Sequence, residues 1–157
     1  MTTIQPEKEK LSVQVSTPSV CFVCTGNTCR SPMAEVVYNT LAQGQSFAVS
    51  RGIAPHVGDP ISPNAIKALS DAGYPVGTVS DHIALPLDDR LVSCVGKIVC
   101  MTSPHAVALL SLFPAQAGKI SVFPFEISDP YGGTPERYAE CLKEIEKAIE
   151  TMFGLKK

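Results

Sequence analysis

Residues 20–31 read VCFVCTGNTCRS and carry the strongest structural signal in the chain. The first four of these residues are apolar, which is typical of a short strand buried inside a sheet. A polar loop follows, and its Gly26 and Asn27 are the two residue types that best tolerate left-handed backbone conformations. Apolar residues then recur at helical spacing between Met33 and Leu41. The stretch therefore predicts a buried strand, a tight loop and a helix in succession, which is the repeating unit of a parallel α/β sheet.

The rest of the chain continues this alternation. Short apolar runs predict three more strands, at residues 47–49, 97–101 and 120–123. Apolar residues at helical spacing predict further helices around residues 65–72, 91–95 and 138–152. This order predicts a three-layer α/β/α, Rossmann-like fold around a central four-stranded parallel sheet, with right-handed crossovers. Ligands bind at the carboxyl ends of such strands, so the loop after the first strand is the expected site.

Helix ends have their own signals. A hydroxyl residue at the N-cap followed by proline at the first helical position is a sound start. Four such pairs precede helical patterns: Ser31-Pro32, Ser62-Pro63, Ser103-Pro104 and Thr134-Pro135. Asp88 is expected to cap the short helix that follows it, and Gly73 is expected to end the helix before it.

Composition and charge indicate a globular protein with no bulk affinity for polyanions. The chain has 157 residues, of which 45% are hydrophobic and 18% charged, and its formal net charge is -2. We expect a single domain over residues 19–157 after a flexible N-terminal extension at residues 1–18. Within that extension, alternating apolar residues from Leu11 to Val15 would also suit a short strand. Neither nucleic acid nor membrane is expected as a partner, and a monomer is favoured.

The same sequence predicts a cytoplasmic location. No apolar run reaches the roughly 18 to 20 residues of a membrane span. The charged N-terminus is not followed by the apolar core of a signal peptide. Six cysteines are then expected as reduced thiols rather than as a disulfide framework. No clustered set of metal ligands is visible, so we expect neither a metal nor a cofactor.

The loop after the first strand combines an anion site with a nucleophile. At a helix N-terminus, backbone N–H groups lack partners and the helix dipole is positive. The loop residues that would turn such groups inward are Thr25, Gly26, Asn27, Thr28 and Cys29. Arg30 adds a planar fork for two phosphate oxygens. The same field favours the thiolate of Cys24, and the Ser31 hydroxyl is placed to donate a hydrogen bond to it.

The stretch CTGNTCRSPMAE, from Cys24 to Glu35, resembles the low-molecular-weight protein phosphatase family, which includes tyrosine phosphatases. A second matching element, Asp129-Pro130-Tyr131, follows the predicted fourth strand, and the resemblance covers residues 19–153. It implies that Cys24 attacks phosphorus to form a phosphocysteine. It also implies that Arg30 and the loop hold the phosphoryl oxygens, and that Asp129 acts as general acid and then as base. The chain is therefore predicted to be a protein phosphatase that acts on phosphorylated proteins.

Residues near these motifs indicate which branch the chain resembles. Tyrosine phosphatases of the family usually carry an aliphatic residue in place of Thr28, and they tend to have a second aromatic residue after the one at Tyr131. Here Gly132-Gly133 follows Tyr131, and both departures resemble the protein-arginine-phosphatase branch, as does Met101-Thr102-x-x-His105. A Thr hydroxyl suits a polar guanidinium, whereas burying a hydroxyl without a partner costs about 1 to 3 kcal/mol. We expect phosphoarginine as the substrate, with phosphotyrosine as the alternative.

Two cysteines lie close to Cys24 in the sequence. The resemblance implies that Cys29 forms a disulfide with oxidised Cys24 and so prevents over-oxidation, while the alternative is a packing thiol. Cys21-x-x-Cys24 has the spacing of a redox pair, but Cys21 lies inside the predicted strand and is expected to be a buried apolar residue. A zinc site is disfavoured because a fourth ligand is missing.

Other cysteines raise a remote alternative. Arsenate reductases of a related fold relay a disulfide through additional cysteines, and Cys94 and Cys100 invite that comparison. Both are expected instead in the core, as is Cys141 on the apolar face of the last helix. A further alternative is an inactive module that binds phosphate or senses thiol oxidation. Nothing in the sequence favours loss of activity, because every catalytic residue named above is present.

A few polar residues receive structural expectations. His56, His82 and His105 are scattered and are expected at loops or helix starts rather than as catalytic bases. Glu35 is expected to support the loop by pairing near Arg30 or to be solvated. Asn27 would fix the loop through side-chain hydrogen bonds, and Tyr131 would line the mouth of the site.

Overall fold

The computed structural model describes residues 17–77 and 79–157, and the alternating stretch around Leu11 lies outside them. Four strands form one sheet: β1 (Val20–Cys24), β2 (Ala48–Gly52), β3 (Lys97–Cys100) and β4 (Ile120–Val122). Their order is β2-β1-β3-β4, and every pairing is parallel. The predicted four-stranded parallel sheet is thus confirmed. Because β1 lies between two neighbours, its last residue, Cys24, stands at the middle of the carboxyl edge.

Five helices cover the two faces of the sheet. They are α1 (Arg30–Leu41), α2 (Pro63–Asp71), α3 (Asp89–Cys94), α4 (Ser103–Leu112) and α5 (Pro135–Phe153). Two 3₁₀ turns, Val79–Asp81 and Pro114–Lys119, complete the helical elements of residues 17–77 and 79–157, and the sequence patterns did not predict them. Within those same residues, no helix is long and apolar enough to cross a membrane.

The alternation of side chains along β1 divides the core into two layers. Phe22 belongs to a cluster with residues of α1 and α5, among them Met33, Val37, Leu142 and Ile145. Cys21 and Val23 point to the opposite face, where they join a cluster that includes Val92 and Leu109 of α3 and α4. A strand buried on both faces in this way gives the loop that follows it a rigid base.

The helix ends test the capping predictions. Asp88 accepts a hydrogen bond from Leu91 N at 2.8 Å, and Gly73 has a positive φ of 90° just after α2, as expected. Thr134 accepts one from Arg137 N at 3.3 Å. Two of the predicted starts are wrong, because α1 begins at Arg30, two residues before Pro32, and α4 begins at Ser103, one residue before Pro104. Their serines lie in the first turn and not at the N-cap, and the Ser62 side chain makes no cap bond.

Candidate active site

A cavity of about 300 Å³ opens where β1 ends. The segment from the end of β1 to the start of α1 lines it with Cys24, Thr25, Gly26, Thr28, Cys29 and Arg30. The loop before α5 contributes Asp129 and Tyr131, and the loop after β2 contributes Ala54, His56 and Asp59. The structure therefore brings the two sequence motifs to one place. Asn27 and Ser31 are fully buried and do not line this cavity.

Two hydrogen-bond donors face the Cys24 sulfur. Ser31 Oγ lies 3.0 Å from Cys24 Sγ, and Asn27 N donates to the sulfur at 3.3 Å. Ser31 Oγ itself accepts from Asn27 Nδ2 at 2.9 Å, which leaves its one hydroxyl proton to donate. The competing acceptor, Arg51 O, is farther away at 3.4 Å. Hydrogen-bond donors in this arrangement stabilise negative charge on the atom they face.

Asn27 holds the loop in shape. Its backbone is left-handed, with φ of 58°, and its side chain is fully buried. Besides Ser31, Nδ2 donates to Ser50 Oγ of β2 at 3.1 Å, while Oδ1 accepts from Leu85 N at 3.1 Å. The side chain therefore links α1, β2 and the segment after the first 3₁₀ turn. Such connections fix the shape of the loop, including the position of the Asn27 N–H that donates to Cys24 Sγ.

Two histidines support the loop from behind, a role that sequence reasoning missed. His82 Nε2 donates to the Asn27 carbonyl at 2.7 Å. His105 is buried in the first turn of α4, between Thr25 Oγ1 at 2.9 Å and Thr102 Oγ1 at 3.0 Å. Burial, together with the positive charge of Arg30, lowers the pKa of His105 to about 4, so the imidazole is neutral near neutral pH. The one sequence signal was the Met101-Thr102-x-x-His105 pattern.

Arg30 and Asp129 meet above the loop. The Arg30 side chain is buried, and its Nη1 donates to Ile127 O at 3.1 Å. Its Nη2 lies 3.6 Å from Asp129 Oδ2. Asp129 Oδ1 accepts from Tyr131 N at 3.0 Å, which fixes the carboxylate while leaving it more than half exposed. A buried guanidinium and a solvent-accessible carboxyl group are thereby adjacent.

The two glycines after Tyr131 have a backbone reason of their own. Gly132 has a positive φ of 75°, a conformation that other residues rarely adopt. A Cβ atom on Gly133 would lie 2.9 Å from Pro130 O, closer than side chains come. This tight turn carries Asp129 to the cavity and leaves the Tyr131 ring 78% exposed at its edge. The turn geometry thus accounts for Gly132-Gly133 without reference to the substrate.

Cys29 lies beside the cavity with its own partners. Its Sγ is 3.4 Å from Tyr138 Oη and 3.7 Å from Thr28 Oγ1, and burial raises the pKa of the thiol. Tyr138 Oη also accepts from Ser62 Oγ at 3.3 Å, and burial raises the pKa of Tyr138 to about 12. A neutral hydroxyl therefore holds a neutral thiol at rest.

Two expectations about neighbouring residues are wrong. Glu35 does not pair with Arg30, because five residues along α1 turn it roughly 140° away around the helix axis. It instead hydrogen-bonds with Ser50 beneath the loop, where desolvation raises the pKa of its carboxyl group. Cys94 is exposed rather than buried, since Val92 and Val95 occupy the inner positions at that end of α3.

The other buried cysteines fit the expectations more closely. Cys21, Cys100 and Cys141 are fully buried, which confirms their expected place in the core. Desolvation raises the pKa of each of these thiols to about 12. No group of three or more His, Cys, Asp or Glu side chains is arranged to hold a metal ion within residues 17–77 and 79–157.

Comparison with known proteins finds relatives of two specificities. A protein-arginine-phosphatase of Bacillus subtilis is 27% identical over 143 residues, covering 85% of this chain and 93% of the relative. A low molecular weight protein-tyrosine-phosphatase of Streptomyces coelicolor is 32% identical over 147 residues, covering 82% of this chain and 87% of the relative. Overall similarity therefore does not choose between the two substrates.

A solved structure shares the fold. It is the YwlE arginine phosphatase as a cysteine-to-serine mutant with a phosphorylated active-site serine. It superimposes with a TM-score of 0.79 at 26% identity, covering 85% of this chain and 91% of that one. The family model for low molecular weight phosphotyrosine protein phosphatases matches residues 19–157. This match shows that the chain belongs to the low molecular weight phosphotyrosine protein phosphatase family.

Proposed function

We propose that this protein hydrolyses phosphoarginine on proteins through a phosphocysteine intermediate. The observation that carries the proposal is the lining of the cavity above Cys24. The Thr28 hydroxyl and the Asp129 carboxylate line this cavity. Among the described residues, Tyr131 is the one Phe, Tyr or Trp side chain that also lines it. A cationic guanidinium is matched by hydroxyl and carboxylate acceptors, whereas a phenyl ring needs apolar walls.

In the first chemical step the Cys24 thiolate attacks phosphorus. An S–P bond forms and the P–N bond to the guanidine breaks, while Asp129 in its acid form gives its proton to the departing nitrogen. Arg30 and the loop N–H groups stabilise the charge on the phosphoryl oxygens. Arg30 Nη2 lies 3.6 Å from Asp129 Oδ2. This distance supports the division of roles, because it places both side chains within reach of the same phosphoryl group.

In the second step water attacks the phosphocysteine. Asp129, now a carboxylate, takes a proton from that water as the new O–P bond forms. The S–P bond breaks, and inorganic phosphate leaves with Cys24 again a thiolate. The two donors that face Cys24 Sγ make this sulfur a good leaving group, because they stabilise the negative charge that returns to it.

Thr28 is the residue on which the substrate preference is expected to depend. It is half-buried, and within residues 17–77 and 79–157 its hydroxyl makes only the long 3.7 Å contact to Cys29 Sγ, so it is available to accept a guanidinium N–H. Thr28→Ile removes that acceptor and adds apolar surface. We expect the ratio of kcat/KM for phosphoarginine over phosphotyrosine peptides to fall roughly tenfold or more.

The matched control is Thr28→Ser, which keeps the hydroxyl and is expected to retain the wild-type preference. An unchanged ratio in Thr28→Ile would remove Thr28 as the selector. The observation that supports the alternative function, a tyrosine phosphatase, is the exposed Tyr131 side chain at the cavity edge. The same pair of substrates measures it.

We also propose that Cys29 protects the nucleophile from irreversible oxidation. Peroxide would convert the Cys24 thiolate to a sulfenic acid. The Cys29 thiol would then condense with this sulfenic acid, which forms a disulfide and releases water. Cys29 and Cys24 line the same cavity, which supports this pairing. After treatment with hydrogen peroxide, dithiothreitol is expected to restore most wild-type activity but little of the activity of Cys29→Ser.

Cys94→Ser is the control for this experiment, because Cys94 is exposed and lies outside the cavity. Its recovery is expected to match that of the wild type. Equal recovery in Cys29→Ser would instead assign Cys29 to packing alone. A cytoplasmic location, where thiols are kept reduced, would suit a phosphatase with a cysteine nucleophile.

A further inference from the structure

The phosphate cavity contains a second carboxylate besides Asp129. Asp59 lines it from the loop after β2, on a different segment from the catalytic residues. The Asp59 side chain is exposed and, among the residues the structure describes, takes part in no hydrogen bond or ion pair. An uncompensated negative charge weakens the binding of a phosphate dianion, so its presence in an anion site requires an explanation.

The loop that carries Asp59 is firmly held. Asp59 N donates to His56 O at 3.1 Å, and Asp59 O accepts from Ala84 N at 2.8 Å. Gly58 N in turn donates to Ala84 O at 3.0 Å. These backbone bonds hold residue 59 on the cavity wall whatever its side chain, so the carboxylate is presented from a preorganised position.

We propose that Asp59 is a specificity residue that binds the guanidinium of the substrate, an inference that rests on the proposed phosphoarginine specificity. Phosphoarginine carries a phosphoryl group on one guanidinium nitrogen and keeps N–H donors on the others. Asp129 serves the nitrogen that departs from phosphorus. Asp59 accepts from an N–H that is not attached to phosphorus. The guanidinium charge then compensates the carboxylate that would otherwise repel the phosphoryl group.

The test compares Asp59→Asn with the wild type on one peptide that carries either phosphoarginine or phosphotyrosine. We expect kcat/KM for phosphoarginine to fall about tenfold, the size of one lost charged hydrogen bond, while kcat/KM for phosphotyrosine stays equal or rises. Asp59→Glu, which restores the charge, is expected to recover part of the phosphoarginine activity. Asp71→Asn on α2, outside the cavity, controls for the change in net charge.

The outcomes separate this inference from the proposed function. If the wild type hydrolyses phosphoarginine and Asp59→Asn keeps the wild-type ratio, Asp59 has no role in specificity while the function stands. If the wild type does not hydrolyse phosphoarginine, both proposals fail together. Equal losses on the two substrates would also overturn the inference, because they would indicate a general effect on the cavity. Thermal unfolding of the two Asp59 variants is expected to match the wild type, since the Asp59 side chain has no hydrogen-bond or ion-pair partner to lose among the residues the structure describes.

Discussion

Cys24→Ser is expected to abolish turnover of every phosphorylated substrate, with a loss on the order of 10⁴-fold or more. A serine hydroxyl is not ionised under the same donors that hold a thiolate, so the attack on phosphorus becomes very slow. A single slow attack would leave a stable phosphoserine at position 24. The related structure with a phosphorylated active-site serine supports that expectation. Mass spectrometry of the variant after incubation with substrate detects the phosphate on the serine that replaces Cys24.

The control for this substitution is Cys94→Ser, which makes the same atom change at an exposed position outside the cavity. It is expected to keep wild-type kcat/KM. Both variants are expected to unfold at the wild-type temperature within about one or two degrees, because the change in volume is small. Turnover by Cys24→Ser above roughly a hundredth of the wild-type rate would exclude the phosphocysteine route.

Asp129→Asn is expected to lower kcat for phosphoarginine by about 10² to 10⁴-fold, the range found for general acid catalysis. The departing guanidine is a strong base and needs a proton as the P–N bond breaks. p-Nitrophenyl phosphate releases an anion that is stable without a proton. The rate of its first step, the formation of the phosphocysteine, should therefore fall less in Asp129→Asn. The dependence of the loss on the leaving group is the signature of an acid that donates to that group.

Asp71→Asn again provides a matched loss of one carboxylate, at a surface pair with Lys67 far along α2. The kcat of Asp71→Asn is expected to equal that of the wild type for both substrates. An equal loss on phosphoarginine and p-nitrophenyl phosphate in Asp129→Asn would argue that Asp129 acts through Arg30, its 3.6 Å neighbour, rather than on the leaving group.

Local sequence signals were enough for the sheet and the phosphate loop. The four apolar residues before Cys24 alternate between the two faces of the strand, so they indicate a strand that is buried on both faces. Gly26 and Asn27 suit the tight turn that follows. The helix starts predicted from Ser31-Pro32 and Ser103-Pro104 were displaced by two residues and by one residue. Proline is tolerated throughout the first turn of a helix, where its missing N–H has no intrahelical partner to lose, so the preceding loop decides which position it occupies.

The support behind the loop could not be predicted in the same way. His82, Asp59 and the backbone N–H of Leu85 lie in segments without regular periodicity, and tertiary contacts bring them to the site. Gly52 shows the problem most clearly, because a Cβ atom there would lie 2.7 Å from Thr25 O. Its role follows from the close approach of two chain segments, which leaves no pattern in the sequence around it.

The most direct test of the proposed function is the substrate preference of the wild-type protein. One peptide sequence is prepared with phosphoarginine or phosphotyrosine at the same position, and kcat/KM is measured for both under identical conditions. We predict a preference for phosphoarginine of at least about tenfold, because Thr28, Asp129 and Asp59 together favour a guanidinium. A preference for phosphotyrosine would contradict the account and assign the protein to the tyrosine-specific members of its family.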